Sequence, residues 1–560
     1  MALGQRESHK PILLELDLSH PLVEVEPDDP IAKLRSRGKP RLRPLLRTLH
    51  EAGDDPRVAG LVARIGNPAL QLAQVQEIRD AVAAFAASGK PTVAWAETFG
   101  ESAPASVAYY LATAFREIWL QQSGDVNLIG LSTEVQFLRG LLDKVGVEPQ
   151  MGQRYEYKNA ADRMLRTEFT DAHREASQRL TDSAWEQIVS GVAASRGLDE
   201  ATVRVLADRA PLLAADALAA KLVDRLGYRD EVYADVRRRA GGDVRLLYAD
   251  KWSKHVQPLA RVVKQLKAKK TPGVALVDGY GGVVMGRSRR TPLMGQVMGS
   301  DTVSAAFRAA VRDERVKAIV FRVDSPGGSY VASDTIWREV VCARAAGKPV
   351  IVSMGAVAGS GGYFVACPAD MIVAQPGTIT GSIGVFGGKA VTTGLTDKVG
   401  LNYGAVQQGR NARMYSTHTS FDDAALSRLD AFLDRVYDDF TAKVAEGRKM
   451  EQQAVHAIAK GRVWSGADAV EIGLVDTLGG LRDAVRIARE RAGLPADAPV
   501  RAALSVPPLA RLKPPRSSED PRAAAAASVW TSGWGEHAAV AEWLGLAAYG
   551  PLTMPALTLR

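Results

Sequence analysis

The sequence has little cysteine: its 560 residues include only Cys342 and Cys367. Two cysteines form one disulfide at most, which excludes a fold stapled by several disulfides and is compatible with a reducing compartment. The sequence also lacks CxxC pairs and the Cys/His spacing that is typical of zinc sites. We therefore expect no metal and no other cofactor.

Long apolar runs are missing as well. The longest one among the first thirty residues, Pro11–Leu14, is interrupted by Glu15 and Asp17, which is typical of a strand and not of a signal peptide. Nowhere does the sequence approach the roughly 20 consecutive apolar residues that span a bilayer. We expect no signal peptide and no membrane anchor, and therefore a protein that is cytoplasmic or attached peripherally to a membrane.

Neither sign of charge dominates. Lys and Arg number 71 and Asp and Glu 63, and the net charge of +8 is small for this length. Apolar residues make up 46% and charged residues 24%, the ordinary composition of a globular protein. The balance argues against nucleic acid as a partner. The length is sufficient for two or more domains with cores of their own.

What the sequence does contain is an internal repeat. The stretch Arg57–Ile65 (RVAGLVARI) recurs as Arg315–Val323 (RVKAIVFRV), and Asp143–Gly146 recurs as Asp397–Gly400. Segments that match in the same order predict that one ancestral unit occurs twice. The predicted regions are a first repeat over 1–240, a basic helical linker over 241–271, a second repeat over 272–495, and a partly flexible tail over 496–560 that is rich in Pro and Ala and contains Trp530, Trp534 and Trp543.

Both repeats alternate short β-rich runs with helical patterns. In the second repeat the predicted strands are Gly273–Val277, Ala318–Val323, Val350–Ser353 and Met371–Ala374, and the predicted helices are Thr302–Arg312 and Ser333–Ala346. Strands that alternate with helices form largely parallel sheets with helices on their faces. The predicted fold class is therefore α/β, in two tandem units.

Two glycine-rich turns of the second repeat each follow a predicted strand. One is a Pro-Gly-Gly turn with Gly327 and Gly328, and the other is a Ser-Gly-Gly turn that begins with Ser360 and Gly361. A serine between a strand and a helix exposes its hydroxyl, and neighbouring glycines leave room for a peptide carbonyl. The two turns therefore predict an oxyanion hole beside a nucleophilic Ser360. It would be formed by the amide of Gly361 together with that of Gly327 or Gly328. Either turn by itself would also fit a simple tight turn or a phosphate-binding loop.

A serine nucleophile needs a base, and none of the eight histidines lies in a setting that points to Ser360. Lysine can take this role when burial keeps its amine neutral. The first repeat has Lys158 where the second has Ala412 at the matching position. Conversely, the first repeat has Ser106 opposite Ser360 but lacks both glycine pairs. This reciprocal loss predicts one composite site, in which Lys158 of the first repeat is the base for Ser360 of the second.

Four segments resemble the signal peptide peptidase A (protease IV) family in its long, duplicated form. They are Val316–Ser329 (VKAIVFRVDSPGGS), Ala358–Tyr363 (AGSGGY), Thr380–Val385 (TGSIGV) and Gly461–Gly466 (GRVWSG). The resemblance implies tandem Clp protease/crotonase-like domains built from spiral β-β-α units. It also implies a homo-oligomer, a tetramer by family resemblance.

By this resemblance Ser360 falls on the family nucleophile, Lys158 on its general base, and Ser382 on a serine that orients the lysine. The implied activity is that of a serine endopeptidase that hydrolyses small or unfolded peptides, such as remnant signal peptides, without a cofactor. Members of the long form usually carry an N-terminal membrane anchor, which is not visible in this sequence. The sequence therefore leaves peripheral membrane association open.

Two other functions stay open at this point. A crotonase-like enzyme acting on acyl-CoA would use the same fold and a similar oxyanion site, but usually with a carboxylate and without a Ser-Gly-Gly nucleophile. A non-catalytic scaffold is the second alternative, because duplicated folds often lose activity. The presence of both Ser360 and Lys158 favours the peptidase.

Overall fold

The computed structural model describes residues 10–22, 24, 41–67, 69–256, 271–291, 295–504 and 550–554. The chain forms two compact units. The first consists of the described residues within 1–132 and 181–269, and the second of those within 133–180 and 270–559. None of the helices in the described ranges combines the length and the apolar character needed to cross a membrane.

The strands are numbered in chain order. Those that begin before residue 270 are β1 Ile12–Leu18, β2 Val58–Ile65, β3 Thr92–Ala96, β4 Glu117–Leu120, β5 Asp125–Val126, β6 Glu148–Arg154, β7 Leu212–Leu213, β8 Arg225–Leu226 and β9 Arg245–Tyr248. The later strands are β10 Gly273–Tyr280, β11 Gly282–Val284, β12 Arg289–Thr291, β13 Gly295–Gly299, β14 Val316–Ser325, β15 Gly327–Gly328, β16 Val350–Gly359, β17 Met371–Ala374, β18 Ile379–Gly381, β19 Val385–Val391, β20 Val463–Ser465, β21 Thr477–Leu478, β22 Val500–Ala502 and β23 Leu552–Thr553.

The helices are numbered in the same way. Those that begin before residue 270 are α1 Leu42–Gly53, α2 Leu72–Ala86, α3 Ser106–Ala112, α4 Arg139–Val145, α5 Asp162–Leu165, α6 Asp171–Arg196, α7 Glu200–Arg209, α8 Ala214–Ala219, α9 Arg229–Arg239 and α10 Ala249–Val256. The later helices are α11 Ser300–Arg312, α12 Tyr330–Ala345, α13 Gly361–Ala366, α14 Thr393–Lys398, α15 Asp423–Arg448, α16 Gln452–Ile458, α17 Gly466–Glu471 and α18 Leu481–Arg491.

The first unit is built around a six-stranded sheet with the order β8-β4-β3-β2-β1-β9, in which all neighbouring strands are parallel. Strand β1 has the sequence ILLELDL, and its near-continuous apolar run suits a strand that is covered on both faces. Leu13 of this strand shares a cluster with Val232 and Val236 of α9. The one buried carboxylate of β1, Glu15, accepts a hydrogen bond of 2.8 Å from the Tyr233 hydroxyl.

The second unit repeats this plan. The path β21-β17-β16-β14-β10-β22 through its main sheet is parallel throughout, and β18 and β20 extend the sheet beside β16. Val320 of β14 and Ile351 of β16 pack with Ala484 and Ile487 of α18, as β1 packs with α9 in the first unit. The same strand order in both units supports their origin from one ancestral unit.

Two smaller sheets of the second unit contain the strands next to the candidate site. One has five strands in the order β12-β13-β11-β15-β23, and the other is an antiparallel ribbon of β6 and β19. In the ribbon Arg154 pairs with Val385 and Glu148 pairs with Val391. Strand β6 belongs to the first repeat of the sequence, so this pairing brings the residues that follow it, including Lys158, into the second unit.

The predicted fold class, α/β in two tandem units, is confirmed. The boundaries of the compact units differ from those predicted for the repeats. Residues 133–180 pack in the second unit, because β6 pairs with β19. Within the predicted linker over 241–271, β9 joins the sheet of the first unit and α10 buries Trp252; residues 257–270 lie outside the described residues.

Two described segments of the predicted tail over 496–560 form strands that pair with strands of the second unit. Strand β22 pairs with β10, and β23 pairs with β15. Residues 505–549, which include the three tryptophans named above, and residues 555–560 lie outside the described residues.

Candidate active site

Ser360 stands at the junction of β16 and α13. Its backbone has φ 53° and ψ −116°, a left-handed conformation that residues with a Cβ rarely adopt and that costs about 1–3 kcal/mol. Two hydrogen bonds hold the turn: the Ser360 amide donates to the Gly381 carbonyl, and the Phe364 amide donates to the Ser360 carbonyl, both at 2.8 Å. The fully buried hydroxyl is therefore fixed at the end of a central strand.

Lys158 lies in the turn that follows β6. The turn is anchored because the amides of Tyr155 and Tyr157 donate to the Lys460 carbonyl, at 3.2 and 3.1 Å. The Lys158 side chain is fully buried, and its Nζ lies within hydrogen-bonding distance of Ser360 Oγ, at 2.8 Å. The structure thus brings together the two residues that the sequence predicted as a pair.

The other contacts of the Lys158 amine are with Ser382. Nζ donates to Ser382 Oγ and to the Ser382 carbonyl, both at 3.0 Å. All of these acceptors are neutral, so they offer the ammonium form no counter-charge. Burial lowers the pKa of Lys158 well below its ordinary value, because the ammonium form loses its hydration. A neutral amine beside a serine hydroxyl can accept its proton.

Ser382 directly follows β18, and its backbone is left-handed, with φ 52°. Its amide donates to the Arg462 carbonyl at 2.6 Å, which holds the turn in place. This geometry turns both oxygens of Ser382 toward Lys158. The residue that the resemblance assigned to orienting the lysine is therefore in contact with it.

The glycines of the two turns converge beside Ser360. A Cβ placed on Gly361 would lie 3.0 Å from the amide nitrogen of Gly328 and 3.1 Å from Cα of Gly327. Gly327 has φ 97° and Gly328 has φ 154°, conformations that favour glycine. The Gly327 amide donates to Ser325 Oγ at 3.1 Å. Of the two amides that the sequence left open, that of Gly328 therefore lies beside Gly361, whereas that of Gly327 is bonded to Ser325 Oγ.

Gly461 is a site residue to which the sequence reasoning gave no role. A Cβ at this position would lie 2.5 Å from N, Cα and Cβ of Lys158, and the backbone has φ 89°. The turn that carries the lysine therefore packs against a position with room for glycine alone. The sequence contained one signal, since Gly461 begins one of the four segments that resemble the family. Its contact with Lys158 joins residues far apart in the chain and could not be read from that segment.

Ser106 holds the position in the first unit that matches Ser360. It begins α3, and its Oγ donates to the Gly130 carbonyl at 2.7 Å. The residues that follow it are not glycines. Lys158 comes from the first repeat of the sequence, but in the structure it lies with Ser360 in the second compact unit.

Side chains that bind metals are not clustered in the described part of the chain. There, no group of three or more His, Cys, Asp or Glu residues is arranged to hold an ion. The polar groups around Ser360 are hydroxyls, backbone amides and one amine, a set that suits nucleophilic catalysis.

Comparison with known proteins identifies the class. The sequence profile of peptidase family S49 matches residues 84–242 and 342–495. The chain is 33% identical over 464 residues to Protease 4 of Salmonella typhi, covering 80% of this chain and 72% of the relative. It is 31% identical over 454 residues to the chloroplastic serine protease SPPA of Arabidopsis thaliana, covering 80% of this chain and 65% of the relative. Among solved structures, ClpP1 from Listeria monocytogenes matches at 13% identity and a TM-score of 0.23, over 40% of this chain and 99% of its own.

The similarity to these peptidases, together with the site, defines a serine-type peptidase. The chain belongs to peptidase family S49. The resemblance to the signal peptide peptidase A (protease IV) family, drawn from four short segments, is thereby confirmed.

Proposed function

We propose that the protein hydrolyses peptide bonds with a Ser–Lys dyad in which Ser360 is the nucleophile and Lys158 is the general base. The observation that carries the proposal is the 2.8 Å contact between Lys158 Nζ and Ser360 Oγ, made by two fully buried side chains. Burial supports the assignment because it lowers the pKa of the Lys158 amine and so favours its neutral, proton-accepting form.

In the first half-reaction, Lys158 takes the proton of the Ser360 hydroxyl, and Oγ attacks the carbonyl carbon of the scissile bond. The carbonyl oxygen takes up negative charge and is bound by the amides of Gly361 and Gly328. Each such donor contributes roughly 3 kcal/mol to stabilisation of the transition state. The C–N bond then breaks as Lys158 gives its proton to the leaving amine, which leaves an acyl-enzyme on Ser360.

In the second half-reaction, the neutral Lys158 amine takes a proton from water, and the hydroxide oxygen attacks the acyl carbon. The same two amides bind the oxyanion again. The bond between Oγ and the acyl carbon breaks, and Ser360 recovers its proton from Lys158. Ser382 keeps the amine directed at Ser360 during both proton transfers through its hydroxyl and carbonyl oxygens.

The substrates that we propose are small or unfolded peptides, including remnant signal peptides, as the resemblance implies. An extended chain fits this site because it can present its backbone carbonyl to the amides at the end of a strand. Assembly into a homo-oligomer, a tetramer by family resemblance, and peripheral association with a membrane complete the proposal.

Labelling with a fluorophosphonate tests the nucleophile. We expect one adduct, in which a bond forms between Ser360 Oγ and phosphorus and fluoride leaves, and Ser106 serves as the internal control. The labelling rate should rise with pH as the Lys158 amine loses its proton, and level off well below the roughly 10.4 of an ordinary lysine. The measurement is mass spectrometry of the digested protein after timed labelling between about pH 6 and pH 10.

An adduct on Ser106, or none on Ser360, would overturn the assignment of the nucleophile. Labelling of Ser360 without hydrolysis of a fluorogenic, unstructured peptide would favour a different acyl-transfer reaction, such as one on an acyl-CoA.

Replacing Ser382 by alanine tests the orienting role. We expect Ser382→Ala to lower kcat about 10-fold with little change in KM, because the amine keeps its contact with Ser360 but loses one of its acceptors. Ser353→Ala is the matched control, since Ser353 is also fully buried and bonds to Arg322 at 3.0 Å. The control should lower the melting temperature but leave kcat near the wild-type value. Equal kcat for the two variants would refute the orienting role.

A further inference from the structure

The last described segment of the chain lies at the candidate active site. Strand β23 pairs with β15 in antiparallel fashion, with Thr553 opposite Gly327 and Leu552 opposite Gly328. The amide of Met554 continues the pairing by donating to the Pro326 carbonyl at 2.6 Å. The segment Gly550–Met554 therefore runs along the Pro-Gly-Gly turn that supplies one of the proposed oxyanion donors.

The same segment is also held from its other side. The amide of Phe386, in β19, donates to the Pro551 carbonyl at 3.1 Å. The backbone of Gly550–Met554 thus receives hydrogen bonds from one neighbouring strand and gives them to another. Backbone pairing with strands of a cleft is how many proteins bind an extended peptide.

The segment approaches the reacting groups themselves. A Cβ placed on Gly327 would collide with the Leu552 carbonyl oxygen and lie 2.6 Å from the Gly361 amide nitrogen. The carbonyl oxygen of Leu552 and the amide nitrogen of Gly361 therefore lie close to the same point. A Cβ placed on Gly359, next to Ser360, would lie 2.5 Å from Met554 Sδ. A backbone carbonyl beside the Gly361 amide is the group that the proposed mechanism polarises.

The side chains of the segment fill apolar space. Met554 is 4% exposed and packs with four apolar residues of the second unit, and Leu552 is fully buried in its main core. The four residues around Met554 are Ala176, Leu180, Ile379 and Val463. A peptide bound in this cleft would look the same. It would be an extended strand with backbone hydrogen bonds along both edges and apolar side chains buried at alternate positions.

We infer that Gly550–Met554 binds in the peptide-binding cleft as a substrate-like strand, so that the chain carries its own competitive inhibitor. The inference rests on the proposed function, because the cleft is defined by Ser360 and its oxyanion donors. A peptide substrate must displace the segment before its carbonyl can reach Ser360. The observed KM then equals the intrinsic KM divided by the fraction of molecules in which the segment has left the cleft.

Two substitutions that release the segment test this inference. Met554→Asp places a carboxylate in the apolar pocket, and Met554→Pro removes the amide that donates to Pro326. We expect both to lower KM for a fluorogenic peptide about 10-fold at unchanged kcat. The matched control is Val500→Asp, an equivalent change at a 39% exposed residue of β22. An unchanged or higher KM in both Met554 variants would overturn the inference.

Two further measurements separate this inference from the proposed function. The fluorophosphonate should label Ser360 several-fold faster in Met554→Asp than in the wild type. Equal labelling rates would overturn the inference and leave the nucleophile intact, whereas absence of labelling in every variant would overturn the proposed function. A synthetic peptide with the sequence of residues 550–556 (GPLTMPA) should inhibit Met554→Asp competitively, and a scrambled peptide should not. Equal inhibition by the two peptides would contradict binding of the segment as a strand.

Discussion

Replacing Lys158 by methionine is expected to lower kcat/KM for peptide hydrolysis by about four orders of magnitude. Methionine preserves most of the buried volume but has no amine to take the proton of Ser360. A serine hydroxyl without a base is a weak nucleophile at neutral pH. Ser360→Ala should lose as much activity, and the double variant should lose little more, because in the proposed mechanism the two residues act on one proton. The measurement is hydrolysis of a fluorogenic peptide at several pH values.

A second buried lysine supplies the control for this experiment. Lys389 is 4% exposed, its Nζ donates to the Met414 carbonyl at 2.8 Å, and it lies 4.2 Å from the centre of the Phe421 ring. Burial lowers the pKa of Lys389 as well. Lys389→Met should keep nearly full activity. Comparable losses in the two lysine variants would mean that Lys158 matters for folding and not for proton transfer.

Lys158→Met should also make the folded protein more stable than the wild type. The native state holds Lys158 with a lowered pKa, so the unfolded chain binds one more proton between that pKa and the ordinary lysine value. Wild-type stability therefore rises with pH in this window, and the disadvantage of the buried amine is greatest below it. We expect the melting temperature of Lys158→Met to exceed that of the wild type near neutral pH, with the difference shrinking as the pH approaches about 10.4.

Gly461→Ala is expected to lower kcat/KM about 100-fold or more. The new Cβ would lie 2.5 Å from three backbone and side-chain atoms of Lys158, so the turn that carries the lysine must move. A shift of about 1 Å is enough to separate Nζ from Ser360 Oγ and can cost about 100-fold in rate. The measurement is kcat/KM together with the rate of fluorophosphonate labelling at Ser360, both of which should fall.

Gly473→Ala is the matched control for this glycine. Its φ of 76° is close to the 89° of Gly461, so both variants carry the strain of a left-handed alanine. However, the nearest atom to a Cβ at position 473 is Met450 Sδ at 4.0 Å. Both variants should lose stability, but Gly461→Ala alone should lose activity. Equal activity losses would show that strain and not displacement of Lys158 is responsible.

The sequence predicted the repeated α/β plan because its signals are local. The apolar run of β14 and the match between Arg57–Ile65 and Arg315–Val323 can each be read from a few consecutive residues. The turn at Ser360 was predictable for the same reason, since glycines beside a serine after a strand constrain the backbone there. Its contact with Lys158 followed from comparing two repeats, not from any local pattern.

What the sequence could not supply were contacts that depend on long-range pairing. Nothing in Glu148–Arg154 indicates that this strand pairs with β19, and this pairing moves Lys158 into the second unit. The role of Gly461 depends on which turn packs against it. Likewise, a tail rich in Pro and Ala gave no sign that Leu552 and Thr553 form a strand opposite Gly327 and Gly328. Register and pairing across such distances are fixed by tertiary packing.

The pairing of β6 with β19 also has an evolutionary consequence. The copy with the nucleophile has alanine at position 412, and the copy with Lys158 lacks the glycine pairs. If the proposed mechanism holds, neither copy can be lost without loss of the enzyme's activity. A gene divided between the two copies would encode two inert polypeptides. Their activity would return on mixing once the stretch 133–180 docked onto β19 of the other polypeptide. If the proposed mechanism holds, the duplication is irreversible, because each half depends on a residue that only the other half has kept.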